Sequence, residues 1–126
     1  MLHIIMENKK TLVIGASLKE DRYSNIAIHR LTSNHIETLA IGLRTGEVED
    51  VTIETEHKDF KDIHTVTLYL NPKRQEAYYD YIIGLKPQRV IFNPGTENPE
   101  FYDKLKKAGI EVEVACTLVL LSTNQY

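Results

Sequence analysis

Lys10-Thr11-Leu12-Val13-Ile14-Gly15-Ala16-Ser17 decides how the chain is read. A short apolar, β-branched run closed by glycine is the pattern of a strand buried on both faces, and such strands occur in parallel sheets covered by helices. The polar stretch Leu18-Lys19-Glu20-Asp21-Arg22-Tyr23 follows. Ser24 and Asn25 are then candidate N-caps for a helix carried by Ile26, Ala27, Ile28 and Leu31 to about Asn34.

The same alternation continues outward from that unit. Thr38-Leu39-Ala40-Ile41 is a second buried strand ended by Gly42, Leu43 to Glu49 has loop composition, and Val51-Thr52-Ile53 is a brief strand. His64 to Leu70 is a strong strand, after which Asn71 and Pro72 supply the cap and first-turn proline of a helix running to about Gly84. Arg89-Val90-Ile91-Phe92 is a strand broken by Asn93-Pro94-Gly95. Asn98 and Pro99 open a helix through Lys107 that Gly109 stops. Ile110 to Val114 is the last strand, and the apolar run Cys116 to Leu121 is placed as a short helix packed on the sheet. Strands alternating with helices predict an α/β fold. It is a Rossmann-like, doubly wound parallel sheet of about five strands with helices on both faces.

At 126 residues the chain is expected to form a single domain, 1–126, with residues 1–9 as an N-terminal extension. Its composition, 42% hydrophobic and 26% charged, is that of an ordinary globular protein. A net charge of -3 argues against a general nucleic-acid binder. The lone cysteine, Cys116, asks for no oxidising compartment. Met1 to Met6 is too short to span a bilayer and lacks the charged start and cleavage site of a signal peptide, so the expectation is a cytoplasmic protein with no membrane partner.

In doubly wound sheets the ligand sits beyond the carboxyl ends of the strands, so the residues after each strand are the ones to interrogate. Gly15, Ala16 and Ser17, with a helix start at Ser24 and Asn25 beyond them, let backbone N–H groups and roughly half a unit of positive helix charge meet an anion. Lys19 and Arg22 stand close enough to assist with phosphates. Glycines are missing at Ser17 and Glu20, so this is not the dinucleotide fingerprint. After the second strand come Gly42, Leu43 and Arg44, where an NAD site wants a carboxylate. An arginine suits a ribose phosphate, either the 3′-phosphate of coenzyme A or the 2′-phosphate of NADP. Asn71-Pro72 and Asn93-Pro94-Gly95 face the same edge, although helix capping alone explains the former.

No catalytic set emerges. His3, His29, His35, His57 and His64 have no metal-pair or nucleophile-base spacing, Cys116 reads as a structural thiol, and Glu47, Glu49, Asp50, Glu54 and Glu56 read as a solvated face.

Together, Val13-Ile14-Gly15-Ala16-Ser17, Arg22-Tyr23-Ser24-Asn25, Gly42 to Gly46-Glu47-Val48, Asn93-Pro94-Gly95 and Ala115-Cys116-Thr117 resemble the small stand-alone CoA-binding domain proteins. These are relatives of the cofactor-binding domain of the succinyl-CoA synthetase α subunit. The resemblance covers Lys10 to Leu121. It implies a Rossmann-like domain holding phosphates at Gly15, Ala16, Ser17 and the first helix start, with Arg44 near the nucleotide phosphate. It also implies that Asn71-Pro72 and Asn93-Pro94-Gly95 pass close to the adenine and pantetheine arm. The chain departs from the family at Ile41-Gly42-Leu43-Arg44, where relatives often read Val-Asn-Pro, and the synthetases carry a second glycine in the first loop and a phosphorylated histidine on a domain this chain lacks. The expected function is therefore binding of coenzyme A or an acyl-CoA without catalytic apparatus of its own. The alternatives are an NADP-dependent or other nucleotide-using enzyme and a ligand-free interaction domain, and a homodimer or a partner enzyme stays open.

Overall fold

The structure, a computed structural model, describes residues 8–126; most of the N-terminal extension, His3 included, lies outside the described residues. Strand β1 (Thr11–Ala16) is fully buried over Leu12, Val13 and Ile14 because both of its faces are covered. Around it run α1 (Tyr23–Ser33), β2 (Thr38–Gly42), β3 (Gly46–Val48), β4 (Val51–Glu54), β5 (Thr65–Leu68), α2 (Pro72–Gln75), a 3-10 turn (Glu76–Tyr78), α3 (Tyr79–Leu85), β6 (Arg89–Phe92), α4 (Pro99–Lys107), β7 (Glu111–Val114) and α5 (Thr117–Ser122).

One sheet holds all seven strands in the order β3-β4-β2-β1-β5-β6-β7. Every pairing is parallel except β3 with β4. From β1 the chain first winds outward through β2 and β4, then returns to the other side of β1 and winds outward through β5, β6 and β7. The order therefore reverses between β1 and β5, and the loops that follow these two strands diverge and leave a crevice.

Period-two alternation sends β1 side chains to two cores. Leu12 and Ile14 join Val66, Leu68, Val90 and Phe92 on one face, closed by Ile82 of α3 and by Phe101 and Leu105 of α4. Val13 and Ala40 join Ile28 and Leu31 of α1 and Leu121 of α5 on the other. Each fully buried Leu, Ile or Phe side chain contributes roughly 1.5–3 kcal/mol.

Three expectations need correction. The sheet has seven strands, not about five, and the missing one lies in the stretch read as loop: β3 pairs antiparallel with β4, Val48 opposite Val51. The two residues between them, Glu49 and Asp50, both take left-handed backbone (φ 49° and 65°), as the tight two-residue hairpin requires. Asn-Gly usually marks that turn; here Glu-Asp fills it, with Glu49 Oε1 3.0 Å from His29 Nδ1 on α1. Second, α1 starts at Tyr23 with Arg22 in the cap position, so Ser24 and Asn25 lie buried inside the first turn and do not cap it. Third, the helix expected to run to Gly84 is broken into α2, the 3-10 turn and α3.

Candidate functional site

The crevice at the β1/β5 switch point is a cleft of about 890 Å³. Its floor depends on close backbone approach. Gly15 has φ 93°, and a Cβ there would fall 2.9 Å from both the carbonyl carbon and oxygen of Tyr69. At that residue the β1–β2 register slips by one, a bulge that turns the chain out of the sheet. A Cβ on Gly42 would lie 2.3 Å from the Ala16 carbonyl oxygen, so the ends of β1 and β2 touch main chain to main chain.

Beyond Gly15 the loop is held by its own polar groups. Ser17 Oγ accepts from Lys19 N at 3.1 Å, and the Asn25 amide donates to the Ser17 carbonyl at 2.9 Å. Arg22 makes no side-chain cap and no acidic residue stands in the first turn of α1, so nothing within that turn offsets the positive end of this eleven-residue helix.

The opposite bank is α2 with the Pro94–Thr96 turn. Asn71 Oδ1 accepts from Arg74 N at 2.9 Å, capping α2. Gln75 is fully buried; its amide donates to the carbonyls of Leu70 and Thr96, both at 2.8 Å, while Asn98 Nδ2 donates to its Oε1 at 2.9 Å. One buried side chain thus stitches α2 to the neighbouring turn. Tyr78 closes this bank in an aromatic cluster, its ring 4.5 Å from that of His57 and 6.5 Å from that of Tyr81, which itself lies 4.6 Å from His57. Burial pushes the Tyr78 phenol up from its ordinary pKa, with the Arg74 charge opposing.

The electrostatics of the lining are one-sided. Five cations border the cleft: Lys19, Arg22 and Arg44 on the α1 bank, Lys73 and Arg74 on the α2 bank. All five are exposed, and among the described residues none pairs with a carboxylate. Among the described residues no Asp or Glu lines the cleft, in a chain whose net charge is -3. Beside the α1-bank cations stand three of the five exposed large apolar side chains of the described molecule: Leu18, Tyr23 (72% exposed) and Leu43 (75%).

Of the residues singled out in the sequence, Gly15, Ala16, Ser17, Arg22, Ser24, Gly42, Arg44, Asn71, Pro94 and Gly95 come together on this cleft. Asn25, Pro72 and Asn93 do not line it. Asn25 lies buried beneath the loop and Pro72 opens α2. Asn93 is a buried junction: its amide donates to Thr67 Oγ1 (2.7 Å) and the Leu68 carbonyl (2.9 Å), and its Oδ1 accepts from Thr117 N (2.9 Å). Sequence reasoning missed Lys73, Arg74, Tyr23, Leu43 and Tyr78 as lining residues. Lys73 and Arg74 follow directly on the Asn71-Pro72 cap, so reading two residues further past β5 would have found them.

A family model described as a CoA binding domain matches residues 9–122. The chain belongs to this CoA-binding family. Similarity to solved structures agrees: an uncharacterized protein shares 45% identity at a TM-score of 0.93, covering 96% of this chain and 100% of that one. A hypothetical protein from Pyrococcus horikoshii OT3 shares 27% identity at 0.82, covering 92% and 83%. Cell-free ID.343 from Thermus thermophilus, at 22% identity and 0.81, covering 94% and 91%, shares the fold. Among curated proteins none matches by sequence. Against this family background, Cys116 sits half-buried at the start of α5. Among the described residues no three His, Cys, Asp or Glu side chains gather as a metal set, and no helix is long and apolar enough to cross a membrane.

Proposed function

We propose that the chain is a binding module for coenzyme A or its thioesters, with the diphosphate seated on the Gly15-Ala16-Ser17 loop against the start of α1. The observation that carries this reading is the α1 bank: Lys19, Arg22 and Arg44 stand unpaired beside the loop and no described carboxylate lines the cleft, in a protein that is acidic overall. Charge-assisted bonds from such groups are among the strongest available to phosphate oxygens. Arg44 and Arg22 then take the 3′-phosphate, and the adenine lies on the exposed faces of Tyr23 and Leu43. Aromatic and aliphatic surface next to guanidinium is what a planar, phosphorylated base requires. This puts the base at the α1 bank and sends the pantetheine arm over Pro94 and Gly95. Asn25 and Asn93 act from below by holding the two turns, without touching the ligand.

Ligand binding stabilises the folded state by mass action, about 2.7 kcal/mol at a concentration one hundred times Kd. Thermal melts with CoA, dephospho-CoA, NADPH and NADH test the reading. The expected order is a large upward shift with CoA, a smaller one with dephospho-CoA and little with NADH. A shift with NADPH in the absence of one with CoA would transfer the site to the 2′-phosphorylated dinucleotide, which Arg44 can also grip.

A further inference from the structure

The two banks of the cleft are unequal in a way that CoA alone does not use. Three cations, the helix start and the apolar surfaces of Tyr23 and Leu43 gather on the α1 bank, and they match the phosphates and base. Lys73 and Arg74 stand on the other bank with Pro94 and Gly95, the side over which the reading above sends the pantetheine arm. They are mounted on a stiff platform, because Asn71 caps α2 from one side and buried Gln75 ties it to Thr96 and Asn98 on the other. The nearest acid of that turn, Glu97, is engaged with Gly95 N at 2.8 Å, and it does not line the cleft. Two adjacent cations without a counter-charge, held in a fixed turn and backed by Ala77 and Tyr78, form a receptor for an anion on a short apolar chain.

We infer that the acyl group accommodated here ends in a carboxylate, so that the ligand class is a dicarboxylic acyl-CoA, its free carboxylate set against Lys73 and Arg74. This rests on the CoA reading above, because the orientation of the nucleotide places the acyl end.

Calorimetric titration with succinyl-CoA, butyryl-CoA and CoA tests it, since the first two differ only in exchanging a terminal carboxylate for a methyl group. The wild-type protein binds succinyl-CoA about three- to tenfold more tightly than butyryl-CoA, the scale of partly exposed ion pairs. In the double variant Lys73→Gln with Arg74→Gln that margin disappears, while the affinity for butyryl-CoA and CoA changes by no more than about twofold, the residue of long-range screened attraction. Equal affinity of the wild type for the two thioesters overturns the inference and leaves the CoA reading standing. A double variant that loses all three ligands alike also overturns it, because the two cations would then be gripping the shared nucleotide. Failure of all three to bind the wild type overturns the CoA reading and the acyl assignment with it.

Discussion

The two ends of the same sheet treat their cations in opposite ways. At the carboxyl end, five Lys and Arg side chains stand exposed and without carboxylate partners around the cleft. At the amino end, Arg89 is only 6% exposed and most of its side chain is engaged inside the protein. Its Nε donates to Thr65 Oγ1 (2.8 Å), its Nη1 lies 3.3 Å from Glu113 Oε1, and its guanidinium stacks 4.4 Å from the Tyr126 ring centroid. Tyr126 in turn shares a 2.5 Å hydrogen bond with Thr11 Oγ1, so the last residue is pinned to the start of β1. The register brings these groups together, because Thr11, Thr65 and Arg89 lie side by side across β1, β5 and β6. One end of the sheet uses its charge inside the fold, and the other leaves its charge unpaired around the cleft.

The sharpest way to break that contrast is Arg89→Ala. It leaves Glu113 partly buried without its partner and removes the surface under Tyr126, and breaking such a pair costs about 3 kcal/mol. Urea unfolding is expected to show that loss with CoA affinity unchanged when corrected for the folded fraction. A buried nitrogen of Arg89 and a buried oxygen of Glu113 already lack partners, so replacing both residues by leucine is expected to recover much of the stability. The mirror experiment is Arg44→Ala at the cleft. Here the folded protein loses no internal partner, so stability stays within about 0.5 kcal/mol, the range of ordinary surface changes. Affinity for CoA falls by about 1.5 kcal/mol, or tenfold, the lower range for a hydrogen bond to a charged group, and the preference over dephospho-CoA shrinks. Destabilisation by Arg44→Ala, or loss of CoA binding by Arg89→Ala, would merge the two ends into one structural role.

How much of this could be read from the chain follows the same division. The run into Gly15-Ala16-Ser17 and the turns after the other parallel strands were legible, because buried strands and their glycine exits are written in contiguous residues. The β3 hairpin was not: Glu49 and Asp50 hold left-handed backbone in its two-residue turn, and the anchoring of β4 on β2 together with the Glu49–His29 contact overrides the local preference. The break after α2 was hidden for a related reason. Gln75 turns inward to satisfy the Leu70 and Thr96 carbonyls, a demand set by a turn twenty residues away. Arg44 was recognisable as a cleft residue because it follows the end of β2, at the place where an NAD site would want a carboxylate. Lys73 and Arg74 look like ordinary helix cations until α2 proves to be a single anchored turn. The amino-end cluster around Arg89 and Tyr126 left no local trace, since it depends on register across three strands.

Two tyrosines extend the comparison in an alkaline titration, with the smallest expected effect. Tyr81, in the wall behind the cleft, donates to the Lys58 carbonyl at 2.5 Å, and burial, aided by Asp59 and Tyr78, pushes its phenol up to about 12. Tyr126, at the amino end, is also raised, by burial first, with Thr11 and Arg89 opposing. An unfolded phenol gives up its proton near pH 10. A group that keeps its proton longer in the folded state contributes stability that is whole below that pH and is lost as the pH climbs toward the folded value. Between about pH 10 and 12, stability is therefore expected to fall, and Tyr81→Phe to flatten part of the fall. The effect is modest because the Tyr81 ring keeps much of its contact with water and its neighbouring charges are screened. Tyr126→Phe also flattens the decline, but it removes the bond to Thr11 and so lowers stability at neutral pH as well. If Tyr81→Phe costs as much at neutral pH as Tyr126→Phe does, the aromatic wall of the cleft is bearing the fold as the amino end does, and the division of labour between the two ends is wrong.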